Sequence, residues 1–217
     1  MLSIIVFVFR LNIFQKFYVR IKSLVRKVDL PTLEVVADFE NILIVAHPDD
    51  DVIFFYDYIK EYKPFVVCLT NGDNLARHTE FIFAMRALGV KGVIHDFKDV
   101  VNEPLPDFEL ESVLSHYLSL KTWHAVATHN AEGEYGHMHH MQISNCVRKL
   151  VDFSSSVLLM PPVLNELETP KFLAKNINAK VNFLEKFYVT QAPNILYSGP
   201  VYRRWVNFEG LVQQLPT

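Results

Sequence analysis

Asn41-Ile-Leu-Ile-Val-Ala46-His47-Pro48-Asp49-Asp50-Asp51 decides the fold. From Ile42 to Ala46 the run is short, continuous and apolar, and part of it is β-branched. Such a run reads as a strand buried on both faces of a parallel sheet. It ends abruptly in a polar cluster. Working outward, Val52 to Tyr62 reads as a helix, and Phe65 to Thr70 as a second strand that ends at the turn Asn71-Gly72-Asp73. Ala76 to Leu88 reads as a helix stopped by Gly89. Gly92 to Asp96 is a third strand, residues 108–121 a helix, and His124 to His129 a fourth strand. His139 to Val151 is helical in pattern, and Val157 to Met160 is a fifth strand. Strands alternating with helices predict an α/β fold with a mainly parallel sheet. Ligands of such sheets bind beyond the carboxyl ends of the strands. The polar clusters after Ala46, Thr70 and His129 all fall at those ends.

The chain has 217 residues, half of them hydrophobic. That suits one globular domain, read as residues 29–217, preceded by a distinct segment. Residues 1–28 hold six basic groups (Arg10, Lys16, Arg20, Lys22, Arg26 and Lys27) and no acid. The whole chain is −3 formally, so the rest carries −9. An acidic body argues against nucleic acid as a partner. In residues 1–28 the charge follows the apolar start, whereas a secretory signal has it in front. That order fits a membrane-associated anchor whose basic residues meet cytoplasmic headgroups, which places the domain in the cytoplasm, peripheral on the membrane face. The alternative is a helix packed on the domain with its basic face in water. The two cysteines, Cys68 and Cys146, match no disulfide framework or thiolate metal spacing. Nine histidines exceed what packing needs, and five of them (His124, His129, His137, His139 and His140) fall within 17 residues.

The chemistry lies in two segments. In His47-Pro48-Asp49-Asp50-Asp51, three successive carboxylates repel one another unless a cation or donors offset them. His47 adds an imidazole, and zinc takes such nitrogen and oxygen donors. The same pentapeptide also fits a solvated acidic turn in which Asp49 or Asp50 caps the next helix. Glu132-Gly-Glu-Tyr-Gly-His137-Met-His139-His140 follows the fourth strand and enters a helix, with His137 and His140 three apart on one face.

Together these segments resemble the PIG-L/LmbE-like de-N-acetylases. Their pattern is a strand ending in A-H-P-D-D-E and, much later, Y-G-H-x-x-H. Here stand Ala46-His-Pro-Asp-Asp-Asp51 and Tyr135-Gly-His-Met-His-His140. Leu69-Thr-Asn-Gly72 is similar to the L-T-x-G strand end. Arg77-His-Thr-Glu80, Ala84 and Leu88-Gly-Val90 are similar to the R-x-x-E…A…L-G-V helix, and Tyr188-Val-Thr-Gln191 loosely resembles Y-x-S-Q. The resemblance implies a Rossmann-like three-layer fold and one Zn2+ per subunit, or another divalent metal, on His47, Asp50 and His140. It implies Asp49 as general base, Arg77 as a substrate contact, and Tyr135 and His137 facing the acetyl carbonyl of an N-acetylated sugar. Zinc brings the pKa of bound water to about 7 and polarises a carbonyl. A phenol can donate to the developing oxyanion, and a protonated His137 can stabilise it or protonate the leaving amine.

Three departures stand out. Asp51 replaces the usual Glu, His139 stands where Asp is frequent, and Phe54-Phe55-Tyr56 occupies the place of a Gly-Gly pair. Asp99 matches an aspartate that helps bind sugar in relatives. His129 and Asn130 end the fourth strand, so they are read as a second layer or as substrate contacts, whereas His124 is read as structural. Arg77 and Glu80 alone fit a surface ion pair, Trp123 and the phenylalanines read as core, and Tyr202-Arg203-Arg204-Trp205 reads as a solvated terminal strand. Two other functions fit the pattern: a zinc amidase acting on another acylated small molecule, or a sugar-binding homologue with impaired catalysis.

Overall fold

The computed structural model of the chain describes residues 30–163, 165, 170–197 and 200–216. The anchor expected in residues 1–28 lies outside them. Among the described residues, no helix is long and apolar enough to cross a membrane.

Strands β1 (Asn41–Val45), β2 (Phe65–Thr70), β3 (Gly92–Phe97), β4 (Ala125–Thr128) and β5 (Val157–Met160) run parallel. A short β6 (Val212–Gln214) closes one edge antiparallel to β5. The spatial order is β3-β2-β1-β4-β5-β6. The chain moves from β1 outward to β3 and then returns to the other side of β1. Loops leaving β1 and β4 therefore diverge, and a crevice opens between them at the carboxyl end of the sheet.

Alternation along β1 builds two cores. Leu43 and Val45 face one side, with α2 (Asp50–Tyr62), α3 (Leu75–Leu88), α7 (Ile177–Phe187), α8 (Ala192–Tyr197) and α9 (Pro200–Asn207) supplying that layer. Ile42, Ile44 and Ala46 face the other side, under α4 (Asp107–Ser119) and α6 (Met138–Leu150). Short helices α1 (Leu33–Val36) and α5 (Gly133–Gly136) complete the elements used below. This is the three-layer fold expected from the sequence. The elements read from the sequence lie within one or two residues of β1 to β5, α2, α3, α4 and α6, whereas α1, α5, α7, α8 and β6 were not read, and Gly89 caps α3 at φ 68° as its place in the sequence requires.

Three expectations are corrected. Residues 202–205 form part of helix α9 and not a strand. Tyr202, Trp205 and Val206 stand at i, i+3 and i+4, a helical stripe, and Trp205 is buried with its ring 5.2 Å from that of Phe54. Phe83 and Phe108 are exposed on helix surfaces and not core, unlike Phe54, Phe55, Phe65 and Phe81. Arg77 and Glu80 form a buried pair at 3.0 Å, not a surface one.

Gly72 sits where β2 turns beneath β3. Its N–H donates to the His95 carbonyl at 2.7 Å, and a Cβ there would lie 2.6 Å from that same oxygen. We expect Gly72→Ala to lower stability by about 1–3 kcal/mol through this clash with backbone. A urea midpoint equal to that of the parent chain would contradict the assignment.

Candidate metal centre

The three successive carboxylates resolve their repulsion by turning three ways. Asp50, in the first turn of α2, faces histidines: its Oδ2 lies 3.1 Å from His47 Nδ1 and 3.2 Å from His140 Nε2. Asp49 faces Arg77, with Oδ2 3.1 Å from the guanidinium, whose other contacts include Glu80 and the Pro48 carbonyl. Asp51 faces away from the histidines. It accepts the Tyr188 hydroxyl at 2.7 Å and the Asp49 backbone N–H at 3.0 Å. This last bond braces Asp49, whose φ of 119° is a region that L residues rarely adopt. The cap role considered for Asp49 and Asp50 is absent as a side-chain bond: Asp49 precedes α2 without one.

His47 Nδ1 and His140 Nε2 are themselves 3.3 Å apart. The three donor atoms thus form a triangle with edges of 3.1, 3.2 and 3.3 Å. Four-coordinate zinc with arms of about 2.0–2.1 Å separates neighbouring donors by about 3.3–3.4 Å, so the triangle has the size of one face of such a tetrahedron. Overlapping donor groups include His47, His137 and His140, within 4.8 Å of one another. His137 Nδ1 is buried without a partner among the described residues. The residues present therefore fit a divalent cation.

Electrostatics agree. Burial opposes charge on every group here, yet His47 is raised to about 10, chiefly by Asp50, and His140 to about 9, again chiefly by Asp50. Burial also opposes ionisation of Asp50, but His140 and His47 outweigh it and hold its carboxyl well below the usual range. A pocket that retains protons on two buried imidazoles above neutral pH favours positive charge, and a divalent cation displaces those protons.

Glu134 is the residue that the sequence reading passed over. It is fully enclosed on α5, at φ 59° and ψ −55°. Its Oε2 accepts from His140 Nδ1 at 2.7 Å and from His129 Nδ1 at 3.1 Å, and its Oε1 from the Asn130 N–H at 2.8 Å. A carboxylate accepts only, so Nδ1 of His140 carries a hydrogen, and Nε2, which faces Asp50, is the nitrogen that would give up its proton to a cation. Burial works against the charge on Glu134, but His129 and His140 bring its carboxyl down to about 2. The only sequence signal for it was its place between two histidine-bearing motifs.

The remaining candidates fall around this centre. His129 is buried in a second layer: Nε2 accepts the Ala46 N–H at 2.9 Å, and the ring stacks on His140 at 3.8 Å. Asn130 donates its side-chain amide to the Pro162 carbonyl and accepts the backbone N–H groups of Glu132 and Glu134 on Oδ1, so its side chain shapes the loop that carries Glu134. Tyr135 lies 5.6 Å from the His140 ring, and burial pushes its phenol up, so it stays protonated. Gly136 at φ 89° lets the chain turn between Tyr135 and His137. Burial, then the rings of His140 and His47, push His137 down to about 3, so the neutral ring prevails where the sequence reading invoked a protonated one. Asp99, half-exposed, has Oδ1 3.4 Å from His47 Nε2. His124 is exposed at the opposite end of β4. Phe54 and Phe55, in place of two glycines, set their rings 5.9 and 6.3 Å from His129. Tyr188 and Thr190 explain the loose C-terminal motif: Thr190 donates to Glu80 by its N–H at 2.7 Å and its hydroxyl at 2.8 Å. These bonds bind the end of α7 to the residues that flank the centre.

The fold and this centre define an α/β protein with a histidine–carboxylate site at the switch between β1 and β4. The family model described as PIG-L, GlcNAc-PI de-N-acetylase, matches residues 42–151, and the chain belongs to that family. It is 32% identical to an uncharacterized protein of Acanthamoeba polyphaga mimivirus, over 48% of this chain and 55% of that one. It is 28% identical to the N-acetylglucosaminyl-phosphatidylinositol de-N-acetylase of Saccharomyces cerevisiae, over 53% of this chain and 44% of that one. The chain thus spans about half the length of the curated relatives it matches. Among solved structures, it shares its fold with the N,N'-diacetylchitobiose deacetylase of Pyrococcus horikoshii (TM-score 0.51, 18% identity, 88% of this chain and 79% of that one). It shares it also with a deacetylase of the teicoplanin biosynthetic pathway (TM-score 0.57, 14% identity, 82% and 100%).

Proposed function

We propose that the chain is a zinc-dependent hydrolase that removes the acetyl group from an N-acetylated amino sugar, on a glycolipid, nucleotide-sugar or polysaccharide precursor. The observation that carries this reading is the triangle of His47 Nδ1, Asp50 Oδ2 and His140 Nε2, set in a family described by a de-N-acetylase. A zinc ion held by His47, Asp50 and His140 would make water nucleophilic near neutral pH and would act as a Lewis acid toward the acetyl carbonyl. Asp49 stands beside Asp50 but turns to Arg77, so it takes the water's proton. Tyr135 donates its hydroxyl hydrogen to the developing oxyanion, a contact worth about 3 kcal/mol by analogy with other such donors. Neutral His137 adds a hydrogen bond there, and the proton gathered on Asp49 goes to the leaving amine. Arg77 holds Asp49 in place, and Asp99 on the open side contacts sugar hydroxyls. The products are acetate and a free amino sugar. The basic, apolar residues 1–28 favour a lipid-linked substrate at a cytoplasmic membrane face, with residues 29–217 as the catalytic domain. Deletion of residues 1–28 with no change in activity on vesicle-borne substrate would remove that part of the reading.

Asp49 accepts a proton only when ionised. Burial raises its carboxyl above the usual range, and Arg77 lowers it. The rate therefore falls on the acid side as Asp49 protonates. Arg77→Met removes the lowering cation, so the acid limb of the pH–rate profile moves to higher pH. An unmoved limb would show that Asp49 is not the titrating base.

A further inference from the structure

The two ring nitrogens of His47 face different company. Nδ1 points to Asp50 Oδ2 at 3.1 Å and His140 Nε2 at 3.3 Å. Nε2 points to His139 Nδ1 at 3.3 Å and Asp99 Oδ1 at 3.4 Å. His139 is itself constrained at its far nitrogen. Its Nε2 lies 2.8 Å from the Glu103 carbonyl oxygen. A carbonyl oxygen only accepts, so the hydrogen of the neutral His139 ring sits on Nε2. His139 Nδ1 is then an acceptor, and it is buried with the ring. Asp99 Oδ1 is also an acceptor. Both converge on Nε2 of His47, which therefore carries a hydrogen whether or not Nδ1 carries one.

We propose that His139 is a positioning residue: through the relay from the Glu103 carbonyl to His47, it holds a hydrogen on His47 Nε2, so that the nitrogen His47 offers to a cation is Nδ1, the one facing Asp50 and His140. The inference rests on the metal reading above, and it gives a role to a position where the family pattern often carries Asp. Glu134 fixes His140 from one side of the centre; the Glu103–His139 pair fixes His47 from the other. The protons that a cation would displace are thus those on the converging atoms, His47 Nδ1 and His140 Nε2, with no ring flip needed on metal entry. The alternative use of the same atoms is a second cation held by His47, Asp99 and His139. That use requires a His47 ring stripped of both hydrogens, since a neutral imidazole has one lone pair.

The test is a competitive zinc titration against a chromophoric chelator, on the full chain and on His139→Ala and His139→Asn. Asn places an acceptor oxygen near the position of Nδ1; Ala removes the acceptor. The parent chain should bind one zinc. His139→Ala should bind it roughly 10–100-fold more weakly, and His139→Asn within about threefold of the parent, the remaining gap reflecting only the lost Glu103 bond. Melting of the metal-free forms in chelator should be alike, which separates ligand positioning from folding. If His139→Ala binds as tightly as the parent, or if Ala and Asn are weakened equally, the relay is wrong. If the parent binds two zinc ions and His139→Ala one, His139 is a ligand and the proposal is overturned. A parent chain that binds none removes the metal reading itself, an outcome distinct from the others.

Discussion

Asp49→Asn should keep its zinc and lose turnover by about 10²–10⁴-fold, the range general-base catalysis supplies. The expectation rests on where the carboxylates point. Asp50 Oδ2 lies at the apex between two imidazoles, whereas Asp49 Oδ2 is 3.1 Å from Arg77 and outside the donor triangle. Asn is nearly isosteric, so the strained backbone at φ 119° and its bond to Asp51 are retained. The ability to accept a proton is not. Zinc content measured on the purified variant, beside its rate of acetate release, checks both halves. A variant that turns over at the parent rate would remove Asp49 from the mechanism; one that loses zinc would make it a ligand.

Glu134→Ala should be the most destabilising single change at the site. It removes a buried carboxylate and leaves the Nδ1–H groups of His129 and His140 without their acceptor. Breaking one side of a buried charged cluster costs about 3–5 kcal/mol. Alanine keeps the Cβ that makes a φ of 59° unfavourable, so no relief of backbone strain offsets the loss. Zinc affinity should also fall roughly 10–100-fold, because His140 is no longer held in one ring form. Glu134→Gln, which keeps one acceptor, should fall between. Urea unfolding with and without zinc measures both effects. An alanine variant as stable as the parent would mean that Glu134 only fills space.

Much of the site was legible because it is local in sequence. His47 and Asp50 are three residues apart at one strand end, and Tyr135, His137 and His140 lie in a single loop–helix segment. The five parallel strands were equally plain, since each is a short, largely apolar run closed by a turn; β6, Val212 to Gln214, holds no such run and was not read. Glu134 was hidden because a carboxylate between two glycine-containing turns looks like a solvated loop; only the fold buries it. Asp51 was read as a shortened family residue, but its partner, Tyr188, lies 137 positions away and no spacing could join them. The 202–205 segment was misread because its charges suggested exposure, while the pattern of Tyr202, Trp205 and Val206 carried the helix. His137 illustrates a further limit: the sequence holds nothing of the burial and of the neighbouring His140 and His47 rings that push its pKa down.

The most direct test of the central claim is acetate release from N-acetylglucosaminyl-phosphatidylinositol, N-acetylhexosaminides and nucleotide sugars, before chelation, after it, and after zinc is returned. At least one substrate should yield acetate and free amine in equal amounts, with release abolished by the chelator and restored by zinc. Release that is indifferent to the chelator, or no release from any of them by the zinc-loaded protein, would contradict the account.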